Sequence, residues 1–194
     1  MKIYDISQEL FRSNVYPGDA TPSYERPMQI AKGDICNLTT LKMCAHNGTH
    51  VDSPYHFYDE GKKIDELDLN RVIGEATVVE FHGELKKEDI NSIMKTAKKR
   101  ILFKGNVVVT LEAAIALNNY GILLVGNESQ TVGPEDGPAK VHYELLAKEV
   151  VLLEGIVLKD VPEGDYFLNA APLNLGGADG SPCRAILMEG VVVI

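Results

Sequence analysis

The chain has 194 residues, 45% of them hydrophobic and 24% charged, which is long enough for a substantial core and argues against a disordered or repetitive protein. Its 28 acidic and 19 basic residues give a formal net charge of −9 at pH 7. Nucleic acids and anionic membranes are therefore unfavourable partners, because their phosphates would repel the chain. A small molecule or a cation is a better match, and we expect residues 1–194 to form one domain.

The N-terminal stretch MKIYDISQELF lacks the basic flank and the apolar run of about 7–15 residues that a signal peptide requires. Nor does any segment approach the ~18 apolar residues of a transmembrane helix. We therefore expect a cytoplasmic protein. The three cysteines, Cys36, Cys44 and Cys183, are odd in number and have no CxxC partner. This predicts small buried hydrophobic residues rather than disulfides or metal ligands.

An α/β fold with a mostly buried sheet is predicted by the order of the apolar segments. The first 60 residues are rich in Pro and Gly and favour loops, with one clear alternating strand at 37–45. Further along, β-branched runs predict strands at 76–81, 107–111, 122–126, 149–158, 166–171 and 184–188. Helical spacing predicts helices at 88–99, at 111–121 between a Thr110 cap and Gly121, and at 141–149.

The segment 46–57, HNGTHVDSPYHF, holds three of the five histidines of the chain beside an aspartate. His46 and His50 are four residues apart, a spacing that would aim both at one metal ion if they lay on a helix. A helix is disfavoured here because Gly48 and the neighbouring β-branched residues weaken it and Pro54 biases the preceding residue toward extended geometry.

An extended path explains the segment better. His50, Asp52 and His56 share parity and would point to one side, and a turn after His46 would bring that residue back toward them. Imidazole and carboxylate groups that converge in this way are typical ligands of Zn²⁺, or of Mn²⁺ if more oxygen ligands join. Three protein ligands leave a position for water, which indicates a catalytic site rather than a structural one.

Two distant residues are candidates to complete the site. Glu154 ends an apolar run just before Gly155, where a charge is costly unless a cation or hydrogen bonds neutralise it. His142 opens the predicted helix at 141–149. The fifth histidine, His82, follows a predicted strand, and we expect it to be exposed.

The segment 46–57 resembles the HxGTHxDxPxH signature of the cyclase-like metal-dependent hydrolases, a family that includes bacterial kynurenine formamidases and isatin hydrolases. The resemblance covers nearly the whole chain. It also includes DIS (5–7), YPGD (16–19), VGNES (125–129), the segment 142–173 and GGADGSPCRAIL (176–187).

This resemblance implies a divalent metal site with one or two ions per chain, Zn²⁺ or alternatively Mn²⁺. The implied ligands are His46, His50, Asp52, His142 and Glu154, and the implied general acid/base is His56. The implied fold is the swivelling β/β/α domain of the family, a mixed sheet with flanking helices. The resemblance further implies a homo-oligomer, a dimer or a tetramer, in which a neighbouring subunit helps to close the pocket.

The activity that the resemblance implies is arylformamidase-like hydrolysis of a C–N bond in a small amide or formamide. Two alternatives stay open: a cyclase, lyase or cyclic-amide hydrolase that uses the same site, and a metal-binding protein without turnover. His56 argues against the latter, because a closed structural site has no use for an unligated histidine.

The chain departs from the formamidases at three places. It has Glu128 and Gly133 where they usually carry Asp, and the segment after Lys104 lacks their Gly-Trp element, since the chain has no Trp. We therefore expect a compact substrate and weaker discrimination in favour of aryl groups.

Overall fold

The computed structural model describes residues 1–191, which form a nine-stranded mixed sheet, two small two-stranded sheets and three helices. The strands are β1 (Lys2–Asp5), β2 (Ser23–Met28), β3 (Leu38–Lys42), β4 (His50–Asp52), β5 (Ile73–Glu80), β6 (Gly83–Leu85), β7 (Arg100–Lys104), β8 (Val107–Val109), β9 (Leu124–Asn127), β10 (Val151–Glu154), β11 (Gly164–Asn169), β12 (Gly180–Pro182) and β13 (Ile186–Glu189). The helices are α1 (Lys87–Ile93), α2 (Leu111–Asn119) and α3 (Ala139–Leu146). None of these helices is long and apolar enough to cross a membrane.

The large sheet has the order β1-β13-β11-β5-β7-β9-β10-β4-β12. Its centre, from β5 to β10, is parallel, and each parallel connection contains one of the three helices, as parallel pairing requires a crossover. The strands on both sides of this centre pair antiparallel. The predicted α/β class, a mixed sheet with flanking helices, is confirmed.

Both faces of the central strands are buried, which explains their continuous apolar runs. Along β7, Ile101 and Phe103 belong to one hydrophobic cluster and Leu102 to the other. The first cluster, which we call the helix-side core, includes residues of all three helices, such as Leu117 of α2 and Leu145 of α3. The sheet thus separates two cores, and the helices cover one of them.

The helix α2 begins and ends where its sequence signals predict. Thr110 is its N-cap, and its Oγ1 accepts a hydrogen bond from the Ala113 backbone N–H at 3.2 Å. Gly121 follows the helix with a φ of +64°, in the left-handed region that glycine tolerates best. The predicted strand at 107–111 is shorter than expected, because Thr110 is already the cap of this helix.

The strand β7 was not predicted, although it lies near the middle of the sheet. The expected helix at 88–99 is also wrong in length, because α1 ends at Ile93. The reason is tertiary: the Lys98 N–H donates to Thr77 Oγ1, and the Lys99 carbonyl accepts from the Leu123 N–H, so this segment already joins the sheet.

The extended path expected for 50–56 is wrong in its second half. The strand β4 ends at Asp52, and the residues Pro54–His56 form a 3-10 turn with Pro54 at its first position. The predicted strand at 149–158 is similarly cut to β10, since Gly155 follows with a φ of +66°. Both differences fall at residues whose backbone preferences favour a break.

The hairpin of β2 and β3 agrees with the strand predicted at 37–45, and every residue of β3 is exposed. The cysteines are free, as expected, but the prediction that they are buried is wrong. Cys36 is exposed in the connection between β2 and β3, and Cys44 and Cys183 are half-buried. These positions lie outside the fully buried parts of the two cores.

Candidate metal centre

The pairing of β4 with β10 places the predicted ligands on one face of the sheet. The register aligns His50 with Glu154 and Asp52 with Leu152. Leu152 belongs to the helix-side core, whereas Val51 belongs to the opposite core. Because side chains alternate along a strand, His50, Asp52 and Glu154 all point to the helix side.

The donor atoms of these residues lie close together in a buried position. His50 Nε2 is 3.4 Å from Asp52 Oδ1 and 3.4 Å from Glu154 Oε2, and all three side chains are at most 3% exposed. The helix α3 adds His142, whose Nε2 is 3.3 Å from Glu154 Oε1 and 3.8 Å from Asp52 Oδ2. Two imidazoles and two carboxylates therefore converge.

Backbone carbonyls orient both of these imidazoles. His50 Nδ1 donates to the Gly48 carbonyl at 3.0 Å, and His142 Nδ1 donates to the Pro138 carbonyl at 3.1 Å. Since a carbonyl can only accept, the proton lies on Nδ1 in each ring and Nε2 points toward the carboxylates. Histidine ligands of metals usually have such an outer hydrogen bond.

His46 and His56 form the second half of the cluster. His46 Nδ1 lies 2.8 Å from Asp52 Oδ1, and the rings of His46 and His56 are 4.2 Å apart between centroids. Donor atoms of His46, Asp52 and His56 lie within 4.8 Å of one another, as do those of His50, Asp52 and Glu154. The structure thus brings together all six predicted residues: five form two groups that share Asp52, and His142 lies against Asp52 and Glu154. It also places His56 where it could bind a metal.

Asp179 is a member of the cluster that the sequence analysis missed. Its Oδ2 accepts from His46 Nε2 at 2.9 Å and from His56 Nδ1 at 3.1 Å. Its only sequence signal was its position in GGADGSP, a carboxylate between small residues in a segment that resembles the family. Its proximity to His46 depends on strand pairing across 133 positions, which the spacing of residues cannot indicate.

The carboxylates keep His46 and His50 protonated when no cation is present. Burial alone would lower the pKa of His46, but hydrogen bonds to Asp179 and Asp52 raise it to about 11. Burial opposes ionisation of His50 in the same way, and hydrogen bonds to Asp52 and Glu154 raise its pKa to about 10. Burial would raise the pKa of Asp52, but the two histidines hold it well below its usual range. A positive charge is therefore favoured next to the carboxylate of Asp52.

The residues fit a divalent cation. Asp52 Oδ2 is buried and has no hydrogen-bond partner within residues 1–191, an arrangement that is costly unless another group binds it. The donors around it are imidazole nitrogens and carboxylate oxygens, the ligand set of Zn²⁺ and Mn²⁺ sites. An ion bound to Asp52 Oδ2 would satisfy this oxygen.

Neighbouring hydroxyl groups support the backbone rather than the cluster. Thr49 Oγ1 donates to the Gly155 carbonyl at 2.6 Å and accepts from the Gln8 N–H at 2.9 Å. Ser53 Oγ donates to the Asp179 carbonyl at 2.9 Å. His82 is exposed at the end of β5, as expected, and lies outside the cluster.

Comparisons with known proteins agree with this geometry. The family model described as Cyclase matches residues 4–132. The kynurenine formamidase of a Bacillus cereus strain is 34% identical over 199 residues, with 94% of this chain and 95% of that protein covered. The chain belongs to the cyclase family. A second member, the kynurenine formamidase of Geobacillus thermodenitrificans, is 36% identical over 201 residues, with 95% and 96% covered.

Solved structures show the same family fold. A structure described as a "predicted metal-dependent hydrolase" from Bacillus stearothermophilus is 28% identical, with a TM-score of 0.82 and coverage of 96% of this chain and 97% of that one. Isatin hydrolase A from Labrenzia aggregata is 21% identical, with a TM-score of 0.83 and coverage of 96% and 93%. This more distant likeness concerns the fold alone. The resemblance to the cyclase-like hydrolases is thus confirmed.

The cluster of this cyclase-family chain lies in a cavity of about 200 Å³. Phe57 stacks on His142 in its wall, with ring centroids 4.8 Å apart. Tyr16, Gln130 and Thr131 line this cavity and also an adjoining one of about 590 Å³. A small group can therefore reach the cluster while a larger substituent occupies the adjoining cavity.

Proposed function

We propose that this protein is a metal-dependent hydrolase that cleaves the C–N bond of a small amide or formamide, as an arylformamidase does. The observation that carries the proposal is the buried set of imidazoles and carboxylates around Asp52, open to a cavity that His56 lines. The curated relatives that are 34–36% identical over nearly the whole chain are kynurenine formamidases, which supports the reaction class.

We assign the metal ligands to His46, His50, Asp52, His142 and Glu154. The two donor groups that share Asp52 support one or two ions per chain. Zn²⁺ is the favoured ion because three of these five residues are histidines, and Mn²⁺ is the alternative because carboxylates also take part. When bound, such an ion lowers the pKa of its water to about 7 and polarises a substrate carbonyl.

His56 is the residue that we assign to proton transfer. Its Nδ1 donates to Asp179, which leaves Nε2 to take a proton from the attacking water and to deliver it to the leaving amine. A general acid/base contributes typically 10²- to 10⁴-fold to the rate. The side chain is 29% exposed, so it can exchange protons with solvent between turnovers.

The cavities support a substrate with a small acyl group. About 200 Å³ at the cluster suits a formyl or another compact carbonyl group, and the adjoining 590 Å³ suits the amine part. Gly105 and Asn106 line the larger cavity. They belong to the segment after Lys104 that, by the family resemblance, lacks the Gly-Trp element of the formamidases. We therefore expect this enzyme to discriminate less in favour of aryl amides than a formamidase does.

We also propose that the protein is one domain of residues 1–194 that assembles as a homo-oligomer, a dimer or a tetramer. The hairpin of β2 and β3 exposes several large apolar side chains, which is typical of an interaction surface. They are Tyr24, Ile30, Ile35, Leu38 and Leu41. Light scattering coupled to size-exclusion chromatography measures the assembly.

The free cysteines suit the reducing cytoplasm, where we expect the protein to act.

The test of function is an assay of zinc- and manganese-loaded protein against N-formylkynurenine, formanilide, isatin and small cyclic amides. We expect hydrolysis of the formamides, and we expect chelator-treated protein to lose it. Turnover of isatin or of a cyclic amide alone would instead indicate a cyclic-amide hydrolase. Bound metal without turnover of any member of the panel would contradict the proposal and favour a metal-binding protein.

A further inference from the structure

The carboxylate of Asp179 contacts two histidines of the candidate metal centre at once. Its Oδ2 accepts hydrogen bonds from His46 Nε2 at 2.9 Å and from His56 Nδ1 at 3.1 Å. Those two rings are in contact, with centroids 4.2 Å apart and planes tilted by 33°, so one oxygen reaches both. Asp179 itself is in neither of the two donor groups that the described residues form.

The backbone places Asp179 accurately at this position. In the pairing of β12 with β4, Gly180 lies opposite Asp52. One residue earlier, the Asp179 carbonyl accepts from both the Ser53 N–H at 3.0 Å and Ser53 Oγ at 2.9 Å. The residue is therefore fixed by the same strand pairing that fixes Asp52.

We infer that Asp179 is a positioning residue that sets the orientation and tautomer of His56 and His46; the inference rests on the function proposed above. For His56, a proton on Nδ1 leaves the Nε2 lone pair available for proton transfer or for a metal. For His46, the bond from Nε2 leaves Nδ1 as the nitrogen that faces Asp52, 2.8 Å away. An ion at Asp52 would then meet Nδ1.

The other two histidines support this assignment by comparison. His50 and His142 each donate Nδ1 to a backbone carbonyl, which orients them. His46 and His56 have no such carbonyl contact within residues 1–191, and Asp179 takes its place for both. Every histidine of the cluster thus has an outer acceptor, the arrangement that fixes tautomers in metal sites and whose loss typically costs 10- to 100-fold in metal affinity or activity.

The test compares Asp179→Ala, Asp179→Asn and a control, Asp65→Asn, in zinc-loaded protein. Asp65 is a suitable control because its Oδ1 accepts from the Gly177 N–H at 2.9 Å, in the loop that leads to Asp179, and it is not in the cluster. Zinc affinity is measured by chelator competition. The His56 tautomer is measured from long-range ¹H–¹⁵N correlations of the ring, with His56→Gln to assign the signal.

We expect Asp179→Ala to bind zinc about 10- to 100-fold more weakly and to lose kcat, with KM within about threefold of the wild type. The His56 proton should redistribute from Nδ1 toward Nε2. Asp179→Asn keeps the size of the side chain and one acceptor oxygen, so its zinc affinity and kcat should lie between those of Asp179→Ala and the wild type. Asp65→Asn should match the wild type in zinc affinity, kcat and His56 tautomer.

Three results would overturn the inference. One is an unchanged tautomer, zinc affinity and kcat in Asp179→Ala. Another is a loss of zinc far beyond about 100-fold, comparable with Asp52→Ala, which would make Asp179 a ligand itself. The third is an Nε2–H tautomer of His56 in the wild type. If the wild type binds zinc with the expected tautomer but hydrolyses no amide, the proposed function fails and the positioning role stands.

Discussion

Replacing Gly180 with Ala should displace His46 by a distance that can be worked out from the structure. A Cβ on residue 180 would lie 2.5 Å from His46 Cε1 and 2.9 Å from each of its ring nitrogens. Non-bonded carbon atoms approach to only about 3.5 Å, so the ring would have to move by about 1 Å. Ligand distances in metal sites are kept within about 0.2 Å, so this displacement is roughly five times what a site tolerates.

The ring has little room to move away. His46 lies between Asp52 and Asp179, with hydrogen bonds of 2.8 and 2.9 Å, and its ring also contacts the ring of His56. The backbone of residue 180 is equally constrained by pairing with Asp52. We therefore expect Gly180→Ala to cost about 1–3 kcal/mol of unfolding free energy, the usual effect of overpacking. Metal affinity should fall at least about tenfold.

The assay pairs chelator competition for metal affinity with urea unfolding of the metal-free protein. Gly176→Ala is the matched control, since it lies in the same loop and its Cβ would meet only Asp65 Oδ2, at 3.9 Å. The control should behave as the wild type does in both measurements. If Gly180→Ala binds metal with wild-type affinity, His46 is not a ligand in the position that this geometry gives it.

Three further results follow from the same geometry. His56→Ala should keep its metal and fold but lose roughly 10²- to 10⁴-fold in kcat; loss of metal in elemental analysis would make His56 a ligand instead. Glu154→Gln keeps the size of a side chain that is 3% exposed but removes its charge, so metal affinity and activity should fall together, and full metal content would contradict its role as a ligand. Third, the raised pKa values of His46 and His50 should make the metal-free protein less stable as pH rises. The native histidines keep protons that unfolded histidines lose above about pH 6.5. The stabilisation that these protons give is therefore complete below that pH and is lost toward pH 10–11. Chelated protein should therefore melt at a lower temperature at pH 9 than at pH 6.5, and a higher melting temperature at pH 9 would show that these histidines are not protonated in the native state.

The sequence predicted the elements whose signals are local. The helix α2 has a Thr cap before it and a glycine after it, so its bounds followed from a few residues. The strand β7 gave no such signal, because only five residues separate the lysine-rich stretch before it from Gly105. Its strand geometry comes from pairing with β5 and β9, whose paired residues are 24 positions away in the sequence.

The residues of the candidate site also differ in how far local sequence signals predicted them. His46, His50, Asp52 and His56 lie within eleven positions, so their clustering was visible, although the 3-10 turn at Pro54–His56 was not. His142 and Glu154 were assigned mainly through the family resemblance. Asp179 was missed because only the β12–β4 pairing brings it to the cluster, and no pattern within 176–187 encodes that register.

The cluster also explains how the sheet tolerates buried charge before a metal is bound. Asp52 and Glu154 lie in a part of the molecule where isolated carboxylates are costly, and protons on His46, His50 and His142 supply the opposing charge. Ligation requires neutral imidazole nitrogens, so an entering cation must displace those protons. Metal affinity should therefore rise with pH as the stability of the metal-free protein falls. The same hydrogen bonds that preorganise the ligands thus make the metal-free state stable and its metal uptake dependent on pH.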